Sequence, residues 1–288
     1  MTKLGINVPN FGPTGSPAEM REWVGFARDT GFDLVMVSDH VAITPDVAEL
    51  YPTPFYDPFA TLAWMAGYAD GLELGTTVII LPYRHPLLTA SMTTALHEFT
   101  GGRFVLGVAA GWAADEFAAL GLPYAARGEM SEEYLAAIRD ALHSETVSAD
   151  GRYVRYRDVA TGPAIRPPIW VGGTAPAVLR RAARYGDAWH PNNAPIAWLR
   201  DTLPRVRELS PSIAFCPRMR ARVTDSDLPP GRVAGEGSAA QVAADFQELI
   251  DLGAEYVVLD TNPDHPRDRR PSAQDRRGLA AVAARLRR

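Results

Sequence analysis

Cysteine is nearly absent. The one thiol, Cys216, lies in the apolar stretch SIAFCPRM, so no internal disulfide can form and the sulfur reads as a buried structural group rather than a nucleophile. No pair of Cys or His stands at zinc-finger spacing. Long apolar runs are missing too: stretches such as VIIL are far too short to cross a bilayer. The N-terminal MTKLGINVPNFG passes straight into a strand pattern without a signal-peptide profile, so a soluble, cytoplasmic protein is expected. An excess of positive charge is lacking as well. The net charge is -5, which argues against nucleic acid as a partner, because that needs a concentrated basic face. The one local exception, RDRRPSAQDRRGLAAVAARLRR, reads as a solvated last helix with its arginines outward.

What is present is a regular alternation. Apolar residues make up 47% of 288 positions, enough for one large core. LGINVPN (Leu4–Asn10) reads as a first strand. Ser16–Gly31 reads as a helix, with Ser16 as its cap, Pro17 in its first turn and Gly31 at its end. Further strands are expected at Leu34–Ser38, Leu72–Leu81, Arg103–Gly111, Pro167–Gly173, Asp187–Pro191, Ile213–Val223 and Ala254–Asp260, with helices between them and a last helix at Ser272–Arg288. TVSADGRYVRYRDV reads as an inserted hairpin turning at Asp150-Gly151. Eight strands alternating with helices predict an α/β fold, a (β/α)8 TIM barrel with insertions, as a single domain over residues 1–288. The rival is an open doubly wound sheet, but no GxGxxG follows the first strand to support it.

Barrel enzymes place their chemistry where strands end. Strand two ends in Asp39 and His40, either an ordinary polar pair at a strand end or reacting groups. No second carboxylate is near Asp39 in sequence, and no GxSxG elbow occurs, so glycosidase and hydrolase readings find little support. His40 and His190 would share a rim, but too few other ligand types accompany them to predict a metal site. Gly172-Gly173-Thr174 opens a helix. It makes either a tight turn or an anion site built from unhindered backbone amides. Gly75 inside LGTTVIIL marks either tight packing or a close approach of backbone to a ligand.

Together these stretches resemble the bacterial-luciferase-like superfamily, in its coenzyme F420-dependent oxidoreductase branch. The matching segments are GFDLVMVSDH, LELGTTVIILPYRHPLLTA, GGRFVLGVAAGWAADEFAALGLPYAARGEMSEE and IWVGGTAPAVLRRAARYGDAWHP, in order from Gly31 to Pro191. The resemblance implies the same barrel, with a cofactor ring across its mouth. It implies a non-proline cis peptide at Thr77–Val78 under the ring, and cofactor contacts from Asp39, Thr76, Thr77, Val78, Ala110 and Gly111. It places the cofactor phosphate at Gly172, Gly173 and Thr174, and gives His40, with Asp39, the catalytic part. Two departures stand out. A Glu acid of the sugar-phosphate dehydrogenases aligns with Trp112, and a Trp of those enzymes aligns with Thr44. Phe11, Tyr56, Trp112 and His190 are therefore expected to wall a pocket for a small organic substrate. The expected function is hydride transfer with F420. The alternatives are a reduced-FMN monooxygenase using oxygen and a non-catalytic flavin-binding protein. A homodimer is also implied by the resemblance.

Overall fold

The computed structural model describes residues 2–263 and 266–287. In chain order its elements are β1 (Lys3–Asn7), α1 (Pro17–Asp29), β2 (Leu34–Val37), α2 (Pro45–Ala48), α3 (Pro58–Ala66), β3 (Glu73–Thr76), β4 (Ile79–Ile80), α4 (Pro86–Phe99) and β5 (Phe104–Ala109). Next come α5 (Ala114–Ala119), α6 (Arg127–His143), β6 (Thr146–Asp150), β7 (Arg155–Ala160), β8 (Ile169–Gly172), α7 (Pro176–Tyr185), β9 (Ala188–His190) and α8 (Ile196–Leu209). The chain finishes with β10 (Ala214–Phe215), β11 (Arg218–Arg220), β12 (Arg222–Thr224), β13 (Glu236–Ser238), α9 (Ala239–Asp251), β14 (Tyr256–Asp260) and α10 (Ser272–Leu286).

Parallel ladders run β9-β8-β5-β3-β2-β1-β14. The segment 214–220 closes the circle: β10 pairs with β9 and β11 pairs with β14. Between them Cys216 N–H bonds to the Trp189 carbonyl, and Val258 N–H bonds to the Pro217 carbonyl. One strand thus hands its hydrogen bonds from one neighbour to the other, which makes a barrel and excludes the open sheet.

Side-chain alternation divides each strand between two cores. Leu34, Met36, Val105, Trp170, Ala188, Cys216 and Val258 form an inner apolar plug. Their neighbours Val35, Val37, Leu106, Val171, Trp189, Phe215, Val257 and Leu259 join the shell between barrel and helices. The Cys216 thiol is buried, and that burial pushes its pKa up, in keeping with a structural role.

Several expected boundaries are corrected. Strand three is two strands, because the peptide between Thr77 and Val78 is cis and lies between β3 and β4. Strand seven is three pieces, the last of which, β12, leaves the barrel to pair with β13. The insertion turns through Gly151–Val154, not at Asp150-Gly151: Asp150 pairs with Arg155, and Glu133 of α6 accepts the N–H groups of Arg152, Tyr153 and Val154. The half-buried Glu133 carboxylate, holding three successive amides, overrode the local turn preference there. The Arg-rich end is not uniformly solvated. Arg276 bonds to Glu19 and covers the Trp23 ring, and Arg269 covers Phe11. Arg288 of the expected last helix lies outside the described residues.

Candidate active site

Two residues beyond Met36, Ala188, Cys216 and Val258 of the inner plug, and beyond the strand glycines Gly5 and Gly75, lies a polar layer. Asn7, Ser38, Thr77, His190, Arg218 and Asp260 occupy it, all buried. Arg218 is the hub. It bonds to Asp260 through Nε at 2.9 Å and Nη2 at 2.6 Å, and to the Thr77 carbonyl through Nη1 at 2.7 Å. Asn7 donates to the other Asp260 oxygen at 2.9 Å. His190 donates from Nδ1 to the Cys216 carbonyl, so its Nε2 accepts from the Thr77 hydroxyl at 2.9 Å. Burial presses the His190 pKa down to about 4; the bond to Cys216 opposes this and the charge of Arg218 adds to it. His190 is thus a neutral floor residue with both nitrogens engaged. Val78 projects into the remaining space: a Cβ built on Gly172 would lie 3.1 Å from its Cγ1 and one on Gly107 would lie 3.4 Å from it.

Above this floor stand Asp39 and His40. Asp39 is buried and fully used. Arg84 grips it at 2.7 and 2.9 Å, and the Ile80 N–H adds a bond at 2.9 Å. Arg84 reaches on to Asp57 at 2.7 Å. These bonds tie the end of β2 to the end of β4. His40 Nδ1 lies 2.6 Å from Oε2 of Glu116, a fully buried carboxylate from α5. Tyr83 donates to the same oxygen at 2.8 Å, while the Val41 and Ala42 N–H groups hold Oε1.

A cleft of about 400 Å³ opens over these groups. Of the residues expected from sequence, Asp39, His40, Thr77, Val78, Ala110, Gly111, Trp112, Gly172, Gly173, Thr174 and His190 line it together. Three do not. The Thr76 hydroxyl turns to the Gly107 backbone instead. Phe11 is fully buried, stacked on Phe55 with ring centroids 5.1 Å apart. Tyr56 is held by its backbone to Asn10 behind that stack. The loop after β2 folds back over Phe11, which puts Tyr51 on the cleft wall in its place. Sequence reasoning missed Glu116, Arg218 and Tyr51. Arg218 carried a readable signal, a charge two positions after a buried Cys in a strand, whereas Glu116 carried none. Among the described residues no group of three or more His, Cys, Asp or Glu is placed to hold a metal ion. No helix among them is long and apolar enough to cross a membrane.

A buried His–carboxylate pair beside a cleft at the mouth of a closed barrel defines an enzyme-type site that can move a proton. Residues 2–227 match the family model for luciferase-like monooxygenase, and the chain belongs to that family. It is 28% identical over 193 residues to a 5,10-methylenetetrahydromethanopterin reductase of Methanolobus tindarius, covering 65% of this chain and 55% of that protein. It is 31% identical over 183 residues to an F420-dependent glucose-6-phosphate dehydrogenase of Beutenbergia cavernae, covering 60% and 52%. The chain spans about half the length of these curated relatives. An F420-dependent secondary alcohol dehydrogenase, solved with an F420-acetone adduct, superposes with a TM-score of 0.80 at 18% identity over 100% of this chain and 99% of that one. The EDTA monooxygenase of Chelativorans sp. BNC1 superposes with a TM-score of 0.78 at 13% identity over 99% and 93%. At these identities the two structures share the fold.

Proposed function

We propose that the protein is an F420-dependent oxidoreductase that moves a hydride between the deazaflavin and a small organic substrate, with His40 handling the accompanying proton. The observation that carries this reading is the cleft itself. It joins a His–carboxylate pair, an apolar shelf and an anion-suited rim.

The residues suit such a cofactor. Val78, Ile80, Ala109, Ala110 and Gly111 offer a shelf of small and aliphatic groups for a flat ring. Gly172, Gly173 and Thr174 lead into α7, whose cap residue Ala175 makes no side-chain hydrogen bond to the first turn. The Gly173 N–H reaches the His190 carbonyl at 3.4 Å, and the first-turn amides beyond it suit an anion. Arg127 also lines the cleft. The bound cofactor would supply the hydride chemistry. The chain supplies the rest. Asp39, tied to Arg84 and Ile80, positions the wall that carries His40. Trp112 and Tyr51, both on the lining, flank the His40 ring on the substrate side. A soluble cytoplasmic homodimer belongs to this reading, supported by the family resemblance.

A reduced-FMN monooxygenase is the second reading, favoured by the family model and by the EDTA monooxygenase likeness in fold. The His40–Glu116 pair speaks against a non-catalytic binding protein. Titration with F420, followed by absorbance, with FMN in parallel, tests the choice. Tight F420 binding and no oxygen consumption are expected. Tight FMN binding with no F420 binding overturns the proposal.

A further inference from the structure

The pairing of His40 with Glu116 has a consequence that deepens the proposed function and rests on His40 as the proton-handling group. The two oxygens of Glu116 are not equivalent. Oε1 accepts two backbone N–H groups, Val41 at 2.6 Å and Ala42 at 3.0 Å. Oε2 accepts the Tyr83 hydroxyl at 2.8 Å and faces His40 Nδ1 at 2.6 Å. Burial alone would push the carboxyl pKa up. The hydrogen bond and charge of His40, the Val41 amide and the Tyr83 hydroxyl outweigh it and hold the carboxyl below its usual range. Burial, with the Glu116 hydrogen bond and charge, pushes Tyr83 up, so its hydroxyl keeps its proton and stays a donor. An ionised carboxylate can only accept, so the proton of a neutral His40 must sit on Nδ1.

We infer that Glu116 is a positioning residue that locks His40 in its Nδ1–H tautomer, leaving the Nε2 lone pair as the ring's proton acceptor. The ring is boxed by Tyr51, Phe55 and Trp112 at centroid distances of 5.0, 5.5 and 5.7 Å, which opposes a flip. Glu116 is a fixed negative end, pinned by amides that no rotation can replace. His40 is then a base toward the cleft when neutral and an acid there when charged.

The variant Glu116→Gln separates tautomer from shape. Its carbonyl must stay on the Val41 and Ala42 amides, because the side-chain NH2 cannot accept from them. The NH2 then takes the place of Oε2 and donates to His40 Nδ1. The proton moves to Nε2. Nitrogen-15 NMR of histidine-labelled protein, without cofactor and with His40 assigned by the loss of its signal in His40→Gln, reads this directly. The parent is expected to carry the proton on Nδ1 and E116Q on Nε2. Tyr83→Phe, which leaves the carboxylate in place, is expected to keep Nδ1–H. A parent with its proton on Nε2 overturns the inference, even if E116Q does not fold. So does an E116Q spectrum with Nδ1 still protonated, or a Y83F spectrum with Nε2 protonated. A tautomer that flips as expected in a protein that binds FMN and not F420 supports the inference while removing the cofactor reading beneath it.

Discussion

Replacing Arg218 with Met should unlatch the barrel floor. The side chain keeps its length but loses every donor. In the parent Arg218 and Asp260 are buried, with side-chain exposures of 7% and 3%. Met leaves Oδ2 of Asp260 without its two guanidinium bonds, while Oδ1 keeps Asn7 and the Asn262 N–H. The Thr77 carbonyl loses its 2.7 Å donor and keeps only the Ser38 hydroxyl at 3.4 Å. Removing one member of a buried pair costs about 3–5 kcal/mol, because the remaining charge stays desolvated. At an unfolding entropy of roughly 2.1 cal/mol/K per residue, a chain of this size loses roughly 1.7 °C per kcal/mol, so a fall in Tm of about 5–8 °C is expected. Differential scanning calorimetry measures it. The double variant R218M/D260L removes both charges, so its loss should be smaller than the sum of the two single losses, although Asn7, the Asn262 N–H and the Thr77 carbonyl also lose bonds. A single variant melting within about 2 °C of the parent, or a double variant whose losses simply add, would refute the reasoning.

Two further outcomes follow from the same floor. His190 has a folded pKa near 4 against an ordinary value near 6.5, so its contribution is complete above the unfolded value and is lost as pH falls through that window. The difference in unfolding free energy between parent and His190→Gln should therefore narrow by about 3 kcal/mol from pH 7 to pH 4, read by denaturant melts; a difference independent of pH contradicts the assignment. A Cβ at Gly107 would sit 2.0 Å from the Thr76 carbonyl oxygen, so Gly107→Ala should yield little folded protein by circular dichroism. Gly67→Ala, whose nearest neighbour is 3.5 Å away, should fold normally, and equal behaviour of the two would show that the contact at Gly107 relaxes freely.

The legible part of the site was the part written in short-range pattern. Asp39 and His40 follow a buried strand directly, so a strand-end position was evident from VMVSDH. Gly172-Gly173-Thr174 before a proline-started helix was evident in the same way. Phe11 and Tyr56 were assigned to the cleft because they sit near strand ends, but their rings depend on how an intervening loop folds back. That loop contains the short α2 and a cis Thr53–Pro54 bond that no pattern announced. Thr76 missed the cleft by one position, because alternation after the inward-facing Gly75 turns Thr77, not Thr76, toward the floor.

From its sequence alone the chain specified eight apolar strands, their alternation with helices and the polar and glycine-rich residues at the strand ends. Those features depend on near neighbours, which a linear sequence displays. The tertiary structure alone decided which polar groups meet. Glu116 reaches His40 across 76 positions, and Arg218 reaches Thr77 across 141. Within WAADEFAALG the same glutamate looks like any acid in a first helical turn. Only the closure of the barrel, which sets α5 against the end of β2, removes water from it and gives it an imidazole to hold.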